Sequence, residues 1–346
     1  MNKEMKKTNL FLGPLFIVGM HRSGTKLLRN LLNQHPQISI PTIESCFIPY
    51  LINKFGNPPQ FEDEEKFHNF YEALTETTFW ENMHSMGMTL DKEYLEQNLT
   101  DRTSWSEIFE VIFKFYIPLS KDKSVIWGDK TPQYLPRIKL LKTLYPKAKF
   151  IHIIRHPGDY CISAKKAWGK SIYRSANSWR YEIEKAREVG GELGDDYLEV
   201  FYEKLVDKPE KELTKICNFL EREFTSKMLH LDTPTENLGD TIGQTKIVKS
   251  NKNKYLNRLS PKTIKRMEEI VYPVAKALEY ELVFAKNFKP LTPFMQKILM
   301  IYDAWNSAIF HIKDEGIIAG LIRTYRLHKY RVVKLSNRTK PKFLSF

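Results

Sequence analysis

No stretch of this 346-residue chain approaches the roughly 20 uninterrupted apolar residues that a bilayer-crossing helix needs, so the sequence offers no transmembrane helix. Cysteine is scarce: Cys46, Cys161 and Cys217 are an odd number at unrelated spacings. That pattern argues against a disulfide framework or a zinc site and fits ordinary buried thiols in a reducing compartment. Clusters of Asp, Cys and His at metal-ligand spacing are missing as well, which leaves a metalloenzyme without support. What the chain does have is 42% hydrophobic and 13% aromatic content, enough for a full α/β core and too much for a disordered or collagen-like protein.

Lys3, Lys6 and Lys7 followed by the apolar run Leu10 to Met20 imitate a signal peptide. Gly13-Pro14 interrupts that run, no small-x-small cleavage site follows, and cleavage would remove the loop around Arg22. The run therefore reads as the first strand, and a cytoplasmic protein is expected.

The net charge of +13 is uneven. Residues 286–346 hold 12 Lys or Arg against 3 Asp or Glu, and from Leu321 onward there are eight cations and no acids. Tyr325, Tyr330, Val332, Val333 and Leu335 interleave with those cations, a composition suited to peripheral contact with an anionic membrane or an acidic polymer. Nothing else resembles a nucleic-acid module, so no nucleic-acid partner is expected. Ahead of the basic run, Phe294, Ile298, Ile301, Tyr302 and Trp305 form a helical apolar stripe, expected to pack on the body or on another chain. The division expected is an α/β domain over residues 10–285, with a helical insertion at about 56–122, and a basic amphipathic extension over 286–346. Within the insertion, Trp105, Ile108, Phe109, Ile112, Phe113 and Tyr116 recur at helical spacing and predict a core-facing helix.

The stretch Met20-His21-Arg22-Ser23-Gly24-Thr25 follows the apolar run Leu15 to Gly19 and precedes Lys26-Leu27-Leu28-Arg29-Asn30-Leu31-Leu32. It reads as strand, tight loop, helix. Such a loop aims backbone N–H groups and the positive end of a helix dipole at one point, where a phosphate fits. A nucleoside-triphosphatase loop would follow its second glycine with Lys and then Ser or Thr. Here Gly19 and Gly24 have the right separation, but Thr25 and Lys26 stand in reverse order, a slip that rotates each side chain by about 100° on a helix. Arg22 is the cation left to work inside the loop, with a planar fork suited to phosphate or sulfate oxygens.

A second constellation lies at Lys149 to Ile154, a buried-type strand ending at Arg155-His156-Pro157-Gly158-Asp159 before a helix that carries Ser163. A kinase needs an acid near such a strand end to organise Mg²⁺. This chain has Arg155, which with Ser163 can hold a second phosphate without a metal.

These residues carry a family resemblance. Gly19-x-x-Arg22-Ser23-Gly24-Thr25 resembles the 5′-phosphosulfate loop of sulfotransferases that use 3′-phosphoadenosine 5′-phosphosulfate (PAPS), and Arg155 with Ser163 resembles their 3′-phosphate motif. Trp127-Gly128-Asp129-Lys130-Thr131-Pro132 and Phe201-Tyr202-Glu203-Lys204-Leu205 with Pro209 resemble further family blocks in the expected order, over roughly residues 14–282. The nearest flavour is the tyrosylprotein and carbohydrate-type branch, in which the loop, a His-Pro turn and a glutamate follow one another as Arg22, His35-Pro36 and Glu44 do here.

The resemblance implies a P-loop-like α/β fold with a central parallel sheet flanked by helices. It implies transfer of a sulfuryl group from PAPS to an acceptor hydroxyl, on a carbohydrate, lipid-linked glycan or phenol, leaving adenosine 3′,5′-bisphosphate (PAP) and requiring no metal. Glu44 is nominated as general base, with Arg22 and Lys130 as catalytic cations. Arg22, Ser23, Gly24, Thr25 and Lys26 are nominated for the phosphosulfate, and Arg155, Ser163, Tyr202 and Lys254 for the rest of the nucleotide. The same loop leaves one alternative, a nucleotide-dependent kinase acting on a small molecule, and the basic tail leaves another of a different class, a catalytically silent membrane-surface or polyanion-binding protein.

Overall fold

The computed structural model describes residues 10–118, 121, 125–234 and 240–316. Lys3, Lys6, Lys7 and the basic run from Leu321 onward lie outside the described residues.

Five parallel strands form one sheet in the order β2-β3-β1-β4-β5, with β1 at Leu15–Gly19, β2 at Ile38–Ser39, β3 at Ile126–Lys130, β4 at Lys149–Ile154 and β5 at Tyr197–Phe201. Parallel pairing needs a crossover after each strand, and helices supply them. Helix α1 (Thr25–Asn33) leads from β1 to β2. Helices α2 (Ile48–Phe55), α3 (Glu64–Thr75), α4 (Thr78–Ser85), α5 (Lys92–Asn98) and α6 (Trp105–Phe115) lie between β2 and β3. Helix α7 (Ile138–Leu144) precedes β4, and α8 (Pro157–Trp168) and α9 (Ile172–Glu192) precede β5. After β5 come α10 (Tyr202–Asp207), α11 (Pro209–Phe219), α12 (Tyr255–Arg258), α13 (Pro261–Ala277) and α14 (Pro293–Glu315).

Strand β1 is buried on both faces, and its side chains alternate between two cores. Phe16 and Val18 join an aromatic core with Phe47, Phe70, Trp105 and Phe113. Leu15 and Ile17 join an aliphatic core with Leu28 and Leu31 of α1 and Leu213 and Ile216 of α11. The stretch read as a helical insertion thus supplies the layer over one face of the sheet. Its helices start on side-chain caps, with Asp63, Thr77, Asp91 and Ser104 each accepting a backbone N–H. The stripe Trp105, Ile108, Phe109, Ile112 and Phe113 is buried on α6, where Trp105 stacks on Phe109 at 4.9 Å and donates Nε1–H to the Gly56 carbonyl at 2.7 Å.

The chain divides into two compact units. The first takes the residues up to His156 together with Tyr181–Lys252 and holds the whole sheet; the second takes Pro157–Arg180 and the residues from Asn253 on. In the second unit, Gly158 passes so close to the Tyr255 ring that a Cβ would fall 2.4 Å from it. The Asp159 carboxylate there accepts the backbone N–H of Asn253 and of Tyr255. The stripe on α14, expected to pack on the body or on another chain, is exposed in the single chain at Phe294, Ile298, Ile301, Tyr302 and Trp305.

Candidate active site

All five strands run parallel, so the segments leaving β1, β3 and β4 emerge at one carboxyl edge of the sheet, the edge where open α/β sheets place their ligands. Ile17 of β1 is in register with Lys130, the last residue of β3, and Gly19 with Ile153 of β4. The loop after β1 is therefore flanked by the ends of the strands that carry Lys130 and lead into Arg155.

That loop is built by close backbone approach at two glycines and by left-handed turns. A Cβ on Gly19 would meet the Ile153 carbonyl at 2.5 Å, and one on Gly24, at φ 93°, would meet the Tyr202 ring at 2.4 Å. Arg22 also takes positive φ, at 72°, which turns the chain so that the Ser23 N–H donates to the Met20 carbonyl at 3.1 Å. Helix α1 then begins at Thr25 with no side-chain cap and no acid in its first turn. Ser23 is buried and its Oγ has no hydrogen-bond partner. An uncapped helix start beside an unsatisfied buried hydroxyl fits an anionic phosphosulfate. Thr25 is buried and Lys26 half-buried in the same first turn.

Arg155 closes the other side of the loop. Its Nη1 donates to the Arg22 carbonyl at 3.0 Å, its Nη2 donates to the Asn251 carbonyl at 3.0 Å, and its guanidinium carbon lies 4.4 Å from the centre of the Tyr202 ring. Asn251 completes the cluster by donating Nδ2–H to the Tyr202 hydroxyl at 2.6 Å. The His156 N–H donates to Glu203 at 2.8 Å, fixing the turn that follows β4.

On the β3 side, Lys130 Nζ donates to Glu44 Oε1 at 2.6 Å. The lysine side chain is wholly buried and the glutamate is 27% exposed. Burial pushes the Lys130 ammonium below the usual lysine range, with Glu44 pulling it back up and the Arg29 guanidinium adding to the depression. The segment holding Glu44 is pinned to β3: the Ser45 N–H donates to Thr131 Oγ1 at 3.0 Å, and the Ser45 hydroxyl pairs with the Tyr134 hydroxyl at 2.8 Å. Asp129, next in β3, is fully buried, and burial pushes its carboxyl up to about 6 against the pull of Thr131, Lys130 and Ser45. Burial together with the Glu44 and Asp129 carboxylates pushes the neighbouring Cys46 thiol up to about 12, which keeps it protonated and unreactive.

Of the residues singled out from sequence, Arg22, Ser23, Gly24, Thr25, Lys26, Glu44, Lys130, Arg155 and Tyr202 belong to the first unit, while Ser163 on α8 and Lys254 at the start of α12 belong to the second. His35 makes structural bonds, receiving the Gln37 N–H at Nδ1 and pairing through Nε2 with the Glu223 carbonyl. Sequence reasoning missed Asn251 and Arg29. Arg29, on α1, donates to the Thr42 carbonyl and so ties the helix behind the loop to the segment leading into Glu44. Neither residue carries a local signal: Asn251 sits in a polar loop, and Arg29 follows the two leucines of α1 as any surface arginine would.

The chain is similar to the nodulation protein NoeE of Sinorhizobium fredii, 29% identical over 159 residues that make up 44% of this chain and 31% of that protein. It is similar to protein-tyrosine sulfotransferase 1 of Danio rerio, 26% identical over 223 residues covering 62% of this chain and 55% of that one. The chain thus spans less than two thirds of the length of both relatives. In fold it matches the sulfotransferase domain from the olefin synthase of Synechococcus PCC 7002, with a TM-score of 0.51 at 22% identity over 82% of this chain and 100% of that domain. Residues 14–226, which hold the sheet, the Arg22 loop, Glu44, Lys130 and Arg155, match the model of the sulfotransferase family, and the chain belongs to that family.

Proposed function

We propose that the protein transfers a sulfuryl group from PAPS to a hydroxyl of an acceptor molecule. The observation that carries this reading is the Glu44–Lys130 pair, 2.6 Å apart, beside an uncapped phosphate-type loop at the same edge of the sheet. In the proposed reaction the bond between sulfur and the phosphate oxygen breaks, a bond from sulfur to the acceptor oxygen forms, the acceptor proton passes to Glu44, and PAP leaves. Arg22, Ser23, Gly24, Thr25 and Lys26 hold the phosphosulfate, while Arg155, Ser163, Tyr202 and Lys254 hold the remainder of the nucleotide. Lys130 and Arg22 offset charge growing on the departing phosphate, each preorganised donor contributing about 3 kcal/mol by analogy with oxyanion-hole donors. A sulfuryl group carries less negative charge than a phosphoryl group, so cationic side chains suffice where phosphoryl transfer uses Mg²⁺.

The acceptor class proposed is a hydroxyl on a glycan, a lipid-linked glycan or a phenol, and the setting a bacterial cytoplasm. A kinase is disfavoured by Arg155, which occupies the strand end where Mg²⁺ chemistry needs an acid.

Calorimetry with PAP in the absence of Mg²⁺ tests the donor, and micromolar binding is expected. Binding of ATP only with Mg²⁺, and none of PAP, would refute it. Labelled PAPS incubated with host extract tests the reaction: Glu44→Gln should lower transfer about 10²- to 10⁴-fold while leaving PAP affinity nearly unchanged. An undiminished rate would remove Glu44 as the base.

A further inference from the structure

Helix α14 is amphipathic in reverse. At about 100° per residue, Phe294, Ile298, Ile301, Tyr302, Trp305 and Ile309 fall within one sector roughly 100° wide and roughly 22 Å long. Phe294 is 73% exposed, Ile301 68% and Trp305 68%. On the opposite side Asp303 is only 7% exposed, and its carboxylate accepts the Ser171 N–H at 2.7 Å and Arg174 Nη1 at 2.6 Å. Asn306 donates Nδ2–H to the Gly169 carbonyl at 2.9 Å. Within the second unit, then, the helix docks through its polar side and leaves its apolar side outward. A helix meant to face water throughout would be rotated the other way, because burial of apolar surface is the dominant gain available to it. A contiguous apolar patch of this size marks an interaction surface.

We infer that this face of α14 lies on an anionic lipid surface, in the plane of the interface. Charge identifies the occupant. Lys297 is exposed at the margin of the apolar sector, Lys286 is exposed ahead of the helix, Lys289 is exposed but paired with Glu269 at 3.2 Å, and the sequence from Leu321 on carries eight Lys or Arg and no Asp or Glu. An apolar protein partner or a second copy of this chain would be served by the stripe alone, whereas a cation at the stripe's margin followed by so basic a sequence calls for an apolar layer that also carries negative charge. Tyr302 and Trp305 are the residue types that favour the headgroup boundary, with an apolar ring and a polar tip. No helix among the described residues is long and apolar enough to cross a membrane, so α14 lies on the surface rather than through it. The inference is independent of the reaction proposed above.

Co-sedimentation of the full chain with vesicles tests it. Vesicles of phosphatidylcholine containing about 30% phosphatidylglycerol should retain the protein, with binding at least about tenfold weaker on phosphatidylcholine alone or at high salt. The triple variant Phe294→Ser, Ile301→Ser, Trp305→Ser should bind the anionic vesicles about a hundredfold more weakly or worse, with its circular dichroism and PAP binding unchanged. Equal retention of the triple variant and the wild type would overturn the inference, as would failure of the wild type to bind either vesicle. A solution dimer that the triple variant abolishes would overturn it in favour of a second copy on this face.

Discussion

Lys130 and Glu44 stand 86 residues apart in sequence, yet the ammonium of one donates to the carboxylate of the other at 2.6 Å. The pair is lopsided: the cation is sealed in the sheet edge and the carboxylate reaches toward solvent. A buried ammonium is costly unless paired, so Glu44 is held in place by the charge it neutralises. The same pairing orients the carboxylate, as a proton acceptor requires.

Burial lowers the Lys130 pKa, so the proposed reaction is expected to show an alkaline limb that reports this lysine. Turnover should fall as pH rises through a value below the ordinary lysine pKa of about 10.4, because the neutral amine no longer offsets charge on the departing phosphate. Lys130→Arg should move that limb out of the accessible range, since guanidinium does not deprotonate. Lys130→Met should cost about 10²-fold or more at every pH. A pH–rate profile of the three proteins checks this, and an unchanged alkaline limb in the arginine variant would refute it.

Gly24→Ala should act through two separable effects. Positive φ strains any side chain there, and the new Cβ would collide with the Tyr202 ring at 2.4 Å. Together these should destabilise the protein by about 1–3 kcal/mol and weaken PAP binding by displacing the start of α1. In a Tyr202→Ala background the steric part should vanish and the φ part remain. Thermal unfolding of the four proteins in that cycle should show a coupling above about 0.5 kcal/mol.

Asp129 makes stability depend on pH. Its carboxyl sits at about 6 in the folded protein against about 3.9 in an unfolded chain, so the native state keeps a proton that the unfolded state releases between those values. That stabilisation is complete below about pH 4 and is lost as pH rises through about 6, a change on the order of 3 kcal/mol. Asp129→Asn cannot ionise and should be relatively more stable than wild type at about pH 8 than at about pH 4.5 in urea unfolding. The same wild-type-to-variant difference at both pH values would refute the assignment.

Asn251 links Arg155 to Tyr202, and its two replacements should part company. Asn251→Ala loses the Nδ2–H bond to the Tyr202 hydroxyl but keeps the backbone carbonyl that accepts from Arg155, and should cost about 1 kcal/mol of stability along with PAP affinity. Asn251→Asp keeps an acceptor toward the Tyr202 hydroxyl and should keep more stability, but its negative charge beside Arg155 should weaken binding of the anionic nucleotide. Calorimetry and thermal unfolding on the same samples separate the two effects.

Much of the fold and of the cofactor loop is local, and local features are written in the sequence. A strand, two glycines with a basic residue between them and a leucine-rich helix specify the Gly19–Thr25 turn wherever they occur, and the spacing of Trp105, Phe109 and Phe113 specifies a buried helical face. The order of the blocks around Arg22, Glu44, Lys130, Arg155 and Tyr202 pointed to the sulfotransferase family.

Tertiary structure alone decided which of those residues meet. The Glu44–Lys130 pair, the Arg155–Asn251–Tyr202 cluster and the Arg29 link to Thr42 join elements far apart in the chain, and their contacts depend on strand order and register. Periodicity likewise marked α14 as amphipathic but did not say which side would be buried. Asp303 and Asn306 settled that by finding hydrogen-bond partners at Ser171, Arg174 and Gly169. A sequence pattern reports the faces of one element; only packing assigns each face its neighbour, because burial and hydrogen bonding are properties of pairs of surfaces.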